Sequence, residues 1–342
     1  MLIDTMLMLR RASRDSLLRL ALCAGLALSI EARAEALSAA CDMAEQASLV
    51  LKSTDDMRPV GEAIINGTPV PAMISTAAVE TAVLNKKTLD RLGIPVRTSQ
   101  GTMFPDDPRN VTGAHMVRDV SYAVLDDFSF GPARKRDVMF TVEDFMDDTY
   151  GVRIGAGSLL HMDLEIALDA GYIKFFKPKG CFREHLAYWD PQAVAVRTSW
   201  DLLKRDPRIL FTAHIGGKNV SALLSTATPQ SYIPKAAAER LGLTPNSPGA
   251  VREAPLPGHG PDQPVWKVPV SSMSIGELAV SDVDLRLMDL PYSGEILVLG
   301  ADFLQRYRVY VAMSQNQVYF SPIRTPRAVR RGSVEVIAAP VP

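Results

Sequence analysis

Two serines sit in nearly the same setting in this chain. One lies in Ala72-Met73-Ile74-Ser75-Thr76-Ala77-Ala78, the other in Leu223-Leu224-Ser225-Thr226-Ala227-Thr228. A serine hydroxyl is neither acid nor base near neutral pH. It holds water or a ligand by hydrogen bonds, and becomes a nucleophile only beside a base, most often histidine. The chain has five histidines, His115, His161, His185, His214 and His259, and neither serine lies in a Gly-x-Ser-x-Gly elbow. Asp302, in Leu299-Gly300-Ala301-Asp302-Phe303-Leu304, is the carboxylate in a comparably ordered segment; its ordinary task is to cap the short helix that follows.

The elements around the two serines repeat as well. Each copy follows a predicted hairpin, one turning at Asn66-Gly67 and the other at Gly216-Gly217. Both dipeptides take positive φ cheaply, as a two-residue hairpin turn requires. Each copy then runs into a short helix ending in Arg91-Leu92-Gly93-Ile94 or Arg240-Leu241-Gly242-Leu243. Further on, Ile154-Gly155-Ala156-Gly157-Ser158-Leu159 answers Leu299–Leu304. Closing hairpins follow, at Asp163–Leu168 with Tyr172–Pro178, and at Arg308–Ala312 with Gln317–Pro322. The period, about 150 residues, is far longer than that of a solenoid and implies a duplicated domain.

This order resembles the retropepsin-like and pepsin-like aspartic proteases over about Arg58–Pro178 and Arg208–Pro322. The resemblance implies an all-β architecture with few short helices: two acid-protease-like β-barrel domains related by a pseudo-twofold axis. In the family the turn reads Asp-Thr-Gly, and the two aspartates meet across the axis. Here both turns read Ser-Thr-Ala, so Ser75 and Ser225 occupy the catalytic positions. A pair of carboxylates sharing one proton supplies the acid and the base of that chemistry; two hydroxyls do not. Thr76 and Thr226 retain the family's threonine, whose hydroxyl links the two turns. Ala77 and Ala227 add a methyl group where the family has glycine, and are expected to crowd a tight turn. Gly113–Val124 and Gly258–Val270 correspond to the flaps over the cleft, which places His115 and His259 within reach of it. The second flap, rich in proline and glycine, reads as a long mobile loop.

The chain has 342 residues, enough for two domains, with a net charge of −1, 47% hydrophobic and 22% charged residues. Such a balance leaves no electrostatic footprint for nucleic acid or an anionic membrane. Residues 1–34 read as an export signal: Arg10, Arg11, Arg14 and Arg19, then an apolar run from Leu20 to Ile30, then Ala32-Arg33-Ala34. Leu22 before Cys23 argues against lipidation. With Cys23 removed, Cys41 and Cys181 remain and are expected to form one disulfide in an oxidising compartment. A bridge closing so long a loop is worth roughly 4–5 kcal/mol by chain entropy.

The expected organisation is therefore a signal peptide (1–34), an N-terminal helical segment (35–57), domain 1 (58–181), an ordered linker (182–207) rich in aromatics, domain 2 (208–322) and a C-terminal tail (323–342). The expected protein is periplasmic or secreted, a monomer that forms its own pseudo-dimer. It has no metal-ligand pattern, needs no cofactor, and binds an extended peptide or protein segment without cleaving it. The alternatives are a hydrolase using other residues of the same cleft, or a purely structural or interaction protein. Asn66, Asn110 and Asn219 head glycosylation sequons.

Overall fold

The structure, a computed structural model, describes residues 41–55, 57–103, 116–145, 147–199, 206–254, 264–289 and 295–323. Strand accounts for 54% and helix for 9%, which makes the fold all-β. Contact density divides the chain into a small unit, 1–43 with 178–184, and a large one, 44–177 with 185–342. The small unit contains the Cys41–Cys181 disulfide, with Cα atoms 4.6 Å apart. Both repeats lie in the large unit, around one continuous core that runs from Ala63 and Ile65 to Val318 and Phe320.

The two halves follow the same pairing order. Pro59–Ile65 and Thr68–Ser75 form a hairpin whose turn residues, Asn66 and Gly67, have φ of +48° and +81°. Leu210–Ile215 and Lys218–Leu224 form its counterpart, with Gly216 and Gly217 at +56° and +77°. The second strand of each hairpin pairs in parallel with a short strand from later in its half, Val152–Gly155 or Leu297–Leu299. That short strand then pairs, antiparallel on its other side, with the strand that follows the serine turn, Ala82–Asn85 or Tyr232–Pro234. The helices Lys86–Arg91 and Lys235–Leu241 come next and stop at Gly93 and Gly242, both left-handed. There Ile94 N and Leu243 N reach back to Leu89 O and Ala238 O, each at 2.9 Å. Glycine takes this conformation without the Cβ penalty.

Each flap position is a hairpin seen from its base. Met116–Phe130 returns against Arg97–Met103, and Val265–Val270 returns against Val251–Glu253. The outgoing strands were not read from the sequence. His115 lies outside the described residues, as do 255–263, including His259, where the mobile loop is expected.

One expectation is corrected at the N-terminus. Asp42–Val50 is a β-strand, where a helix was expected over 35–57. From Ala44 on it lies beside Tyr172–Lys179, with Leu51 N donating to Gly171 O at 2.8 Å and Lys174 pairing with Glu45. Ala47, Leu49 and Leu51 turn to the core at a spacing of two. Helix formers such as alanine and glutamate lose here because so short a helix is marginal alone, whereas the sheet supplies partners at once.

Residues 182–199 of the expected linker carry a strand. Val194–Ser199 pairs with Gln317–Pro322 on one side and with Leu210–Ile215 on the other. The closing hairpins of the two halves also meet, through Leu164↔Val311, Glu165↔Tyr310 and Ile166↔Val309. At this ladder the fully buried Glu165 accepts from Arg308 Nε (2.8 Å), Tyr172 (2.8 Å) and Tyr188 (2.7 Å). The Arg308 guanidinium stacks on Trp189 at 4.0 Å. Burial, with the hydrogen bond to Glu165, pushes the Tyr172 hydroxyl up to about 12. Among the described residues no helix is long and apolar enough to cross a membrane.

Asp163, two residues before Glu165, accepts from Ser314 N (2.8 Å), Ser314 Oγ (2.7 Å) and Tyr310. Burial raises its carboxyl above the usual aspartate value despite these hydrogen bonds. The folded state therefore binds this proton more tightly than the unfolded chain. The associated stability is full at low pH and is lost as pH rises through the folded value. Thermal melts from pH 3 to 7 should show the wild type losing stability with rising pH relative to Asp163→Asn. A constant difference between the two would contradict this.

Candidate functional site

The site is built where the two serine turns meet. Thr76 Oγ1 donates to Leu224 O at 2.7 Å and accepts from Thr226 N at 3.2 Å. Thr226 Oγ1 reciprocates, donating to Ile74 O at 2.5 Å and accepting from Thr76 N at 3.2 Å. The four bonds cross between residues about 150 positions apart, and both threonines are buried. Each hydroxyl is thereby committed as both donor and acceptor.

The serines beside them are held differently from one another. Ser75, 5% exposed, accepts from Ala78 N at 3.2 Å. Ser225, 1% exposed, shares a 2.7 Å hydroxyl–hydroxyl bond with Thr228. The asymmetry follows from the sequence, because Ala78 and Thr228 occupy the same position of the two repeats. A β-hydroxyl three residues after the serine is the signal for it, and was not used in reading the sequence. Ala77 and Ala227 are half-buried, and neither takes a positive φ. The expected crowding is therefore not a backbone strain; both turns carry a methyl group in ordinary conformations.

The loops after the serines are fastened by backbone. Ala78 O and Thr81 O accept from Ala156 N (2.7 Å) and Gly155 N (3.1 Å); Thr228 O and Pro229 O accept from Ala301 N (2.8 Å) and Asp302 N (3.1 Å). Gly155 and Gly300 lie where these loops cross. A Cβ at Gly155 would overlap the Glu80 carbonyl oxygen, and one at Gly300 would stand 2.7 Å from Thr228 O. Asp302 accepts from Phe303 N in its own helix, Ala301–Leu304, and also from Ser231 N (3.0 Å) and Ser231 Oγ (2.7 Å). It therefore ties down the loop leaving Ser225; the expected cap is not made, because Asp302 lies inside the helix and the N-cap is Gly300. The first half has Gly157 and Thr81 at these positions, without the carboxylate.

The three described histidines do not join the serines. His214 is half-buried near the turn of its hairpin, opposite Asn219 and Ser274. His161 is exposed, and exposed His185 sits 2.9 Å from Asp190 O. Among the described residues no histidine hydrogen-bonds Ser75 or Ser225, and no group of three or more His, Cys, Asp or Glu is placed to hold a metal ion.

Residues 211–306 match the family model described as gag-polyprotein putative aspartyl protease. This stretch is similar to the retropepsin-like aspartyl proteases. The retropepsin-like match begins in the hairpin before Ser225 and ends just after the helix containing Asp302, so it includes Ser225-Thr226-Ala227 and Gly300. No curated protein matches the chain.

Two substitutions test this junction. Thr226→Val keeps the shape but strands the Ile74 carbonyl and the Thr76 amide, so unfolding free energy should fall by about 2–3 kcal/mol. Urea denaturation measures it; a loss within error would mean that these bonds are replaceable. Gly155→Ala should cost about 3 kcal/mol or more, because its Cβ meets backbone that cannot yield. Gly61→Ala should cost clearly less: its Cβ meets side chains alone, the Ile74 Cδ1 methyl at 3.0 Å and Phe130 at 3.6 Å.

Proposed function

We propose that this chain is an exported, catalytically silent relative of the aspartyl proteases, with two duplicated units that hold an extended peptide in the cleft between them. The observation that carries the reading is the threonine cross-link, complete in both directions, with a serine before each threonine where the chemistry needs a carboxylate. A scaffold that keeps its junction keeps the cleft that the junction organises. Without a titrating pair it has no means of activating water. Among the described residues, Arg97–Met103 and Val251–Glu253 are the last strands of their sheets, a position that suits a ligand adding as a further strand. Export rests on the basic, apolar and small-residue pattern of residues 1–34, and the Cys41–Cys181 bridge is compatible with it.

Peptide hydrolysis between pH 3 and 8 tests the reading. The wild type should cleave nothing and show no acid optimum. Ser75→Asp with Ser225→Asp should give weak activity while both methyl groups stand at the turns. Adding Ala77→Gly and Ala227→Gly should raise it. The double-Asp variant brings two like charges together, so it should be less stable at neutral pH and recover as one carboxyl protonates. Wild-type cleavage that survives Ser75→Ala with Ser225→Ala would place catalysis elsewhere. Cleavage abolished by those alanines would make a serine the nucleophile.

A further inference from the structure

We propose that a cavity beside the ladder of the closing hairpins binds a sugar, a neutral ligand with several hydroxyl groups. It shares no residue with the serine turns and does not rest on the peptide-binding reading. Its volume is about 560 Å³, inside the roughly 300–1,000 Å³ range of small-molecule sites. Asp169, Trp189, Asp190 and Arg308 line it, and Pro191 and Pro322 give it an apolar wall. All of them belong to the large unit. Two lining groups have hydrogen-bonding capacity that the fold leaves unused. The half-buried Asp169 carboxylate accepts from no described residue. Arg308 sends Nε and Nη2 to Glu165 Oε1, and its Nη1 donates to no described residue. The surrounding groups are held in place: the guanidinium is stacked on Trp189, and Asp190 accepts from Ser321 Oγ and Gln192 N.

The ligand follows from the two unused groups. An ionised Asp169 only accepts and Arg308 only donates, so the occupant must both give and take hydrogen bonds. A hydroxyl group does both. An ammonium ion serves Asp169 but has no lone pair for Arg308, and its charge would stand beside a guanidinium. An anion serves Arg308 but meets the carboxylates of Asp169, Asp190 and Glu165 against one cation. Ligands charged in either sense are therefore disfavoured. A pyranose ring carries hydroxyls at its edge and a face of C–H groups for Pro191 and Pro322. A secondary amide group has a donor and an acceptor but no such face.

The test is calorimetric titration of the full chain with the methyl glycosides of glucose, galactose and mannose. N-acetylalanine methylamide, propylamine and acetate serve as the amide, cation and anion probes. At least one glycoside should bind, and more tightly than all three of these. Among its deoxy analogues, each lacking one hydroxyl, at least one should bind about tenfold or more weakly, as where a polar group of the site is left unpaired. Asp169→Ala should weaken the glycoside by a similar factor, with circular dichroism checking that the variant folds. Should it fold poorly, the deoxy series on the wild type decides. Binding of no glycoside overturns the inference, as does tighter binding of the amide, the amine or acetate. Deoxy analogues that all equal the parent, or an affinity unchanged in folded Asp169→Ala, also overturn it. None of these outcomes bears on peptide binding, which is tested with peptides at the serine turns.

Discussion

The structure depends on the exchange of hydrogen bonds between Thr76 and Thr226. Two turns that belong to opposite halves of the chain are held together by four bonds with no water-facing group among them. Each threonine must end its strand in register with the other, because the carbonyls it reaches, Ile74 and Leu224, lie one residue before each serine. A shift of one residue in either hairpin would point the hydroxyl to the opposite face. The hairpin turns at Asn66-Gly67 and Gly216-Gly217 set that register, and Gly155 and Gly300 let the outgoing loops cross closely enough to keep it.

A second meeting of the halves joins them at the other end of the main core. The ladder between Asp163–Ala167 and Tyr307–Ala312 joins the closing hairpins into one sheet. Its polar members are buried but satisfied: Glu165 by an arginine and two tyrosines, Asp163 by Ser314 and Tyr310. Buried charge of this kind holds a specific arrangement, since removing one partner leaves the other uncompensated. Tyr188 and Trp189, from the segment between the repeats, lie against Arg308, which fixes that part of the segment to the ladder.

Between these two joints each turn carries a serine. The interlock runs through the threonines and the main chain, so the serine hydroxyls take no part in it. They supply no group that titrates near neutral pH. The difference between Ala78 and Thr228 makes the two serines unequal, although the motifs around them look alike.

Much of this was legible in the sequence, because it depends on local chemistry. Asn-Gly and Gly-Gly specify hairpin turns, Leu-Gly specifies a left-handed helix end, and the recurrence of both in order implies two similar units. Cys41 and Cys181 were paired from the sequence, and the structure bridges them. What the sequence did not reveal depends on partners far along the chain. Asp42–Val50 has a helix former's composition and becomes a strand because an edge was waiting for it. Glu165, Arg308, Tyr188 and Trp189 look unrelated until a ladder between distant hairpins brings them to one place. The threonine cross-link itself could only be anticipated by resemblance. Its bonds join residues about 150 positions apart, and only tertiary packing decides whether two such turns ever meet.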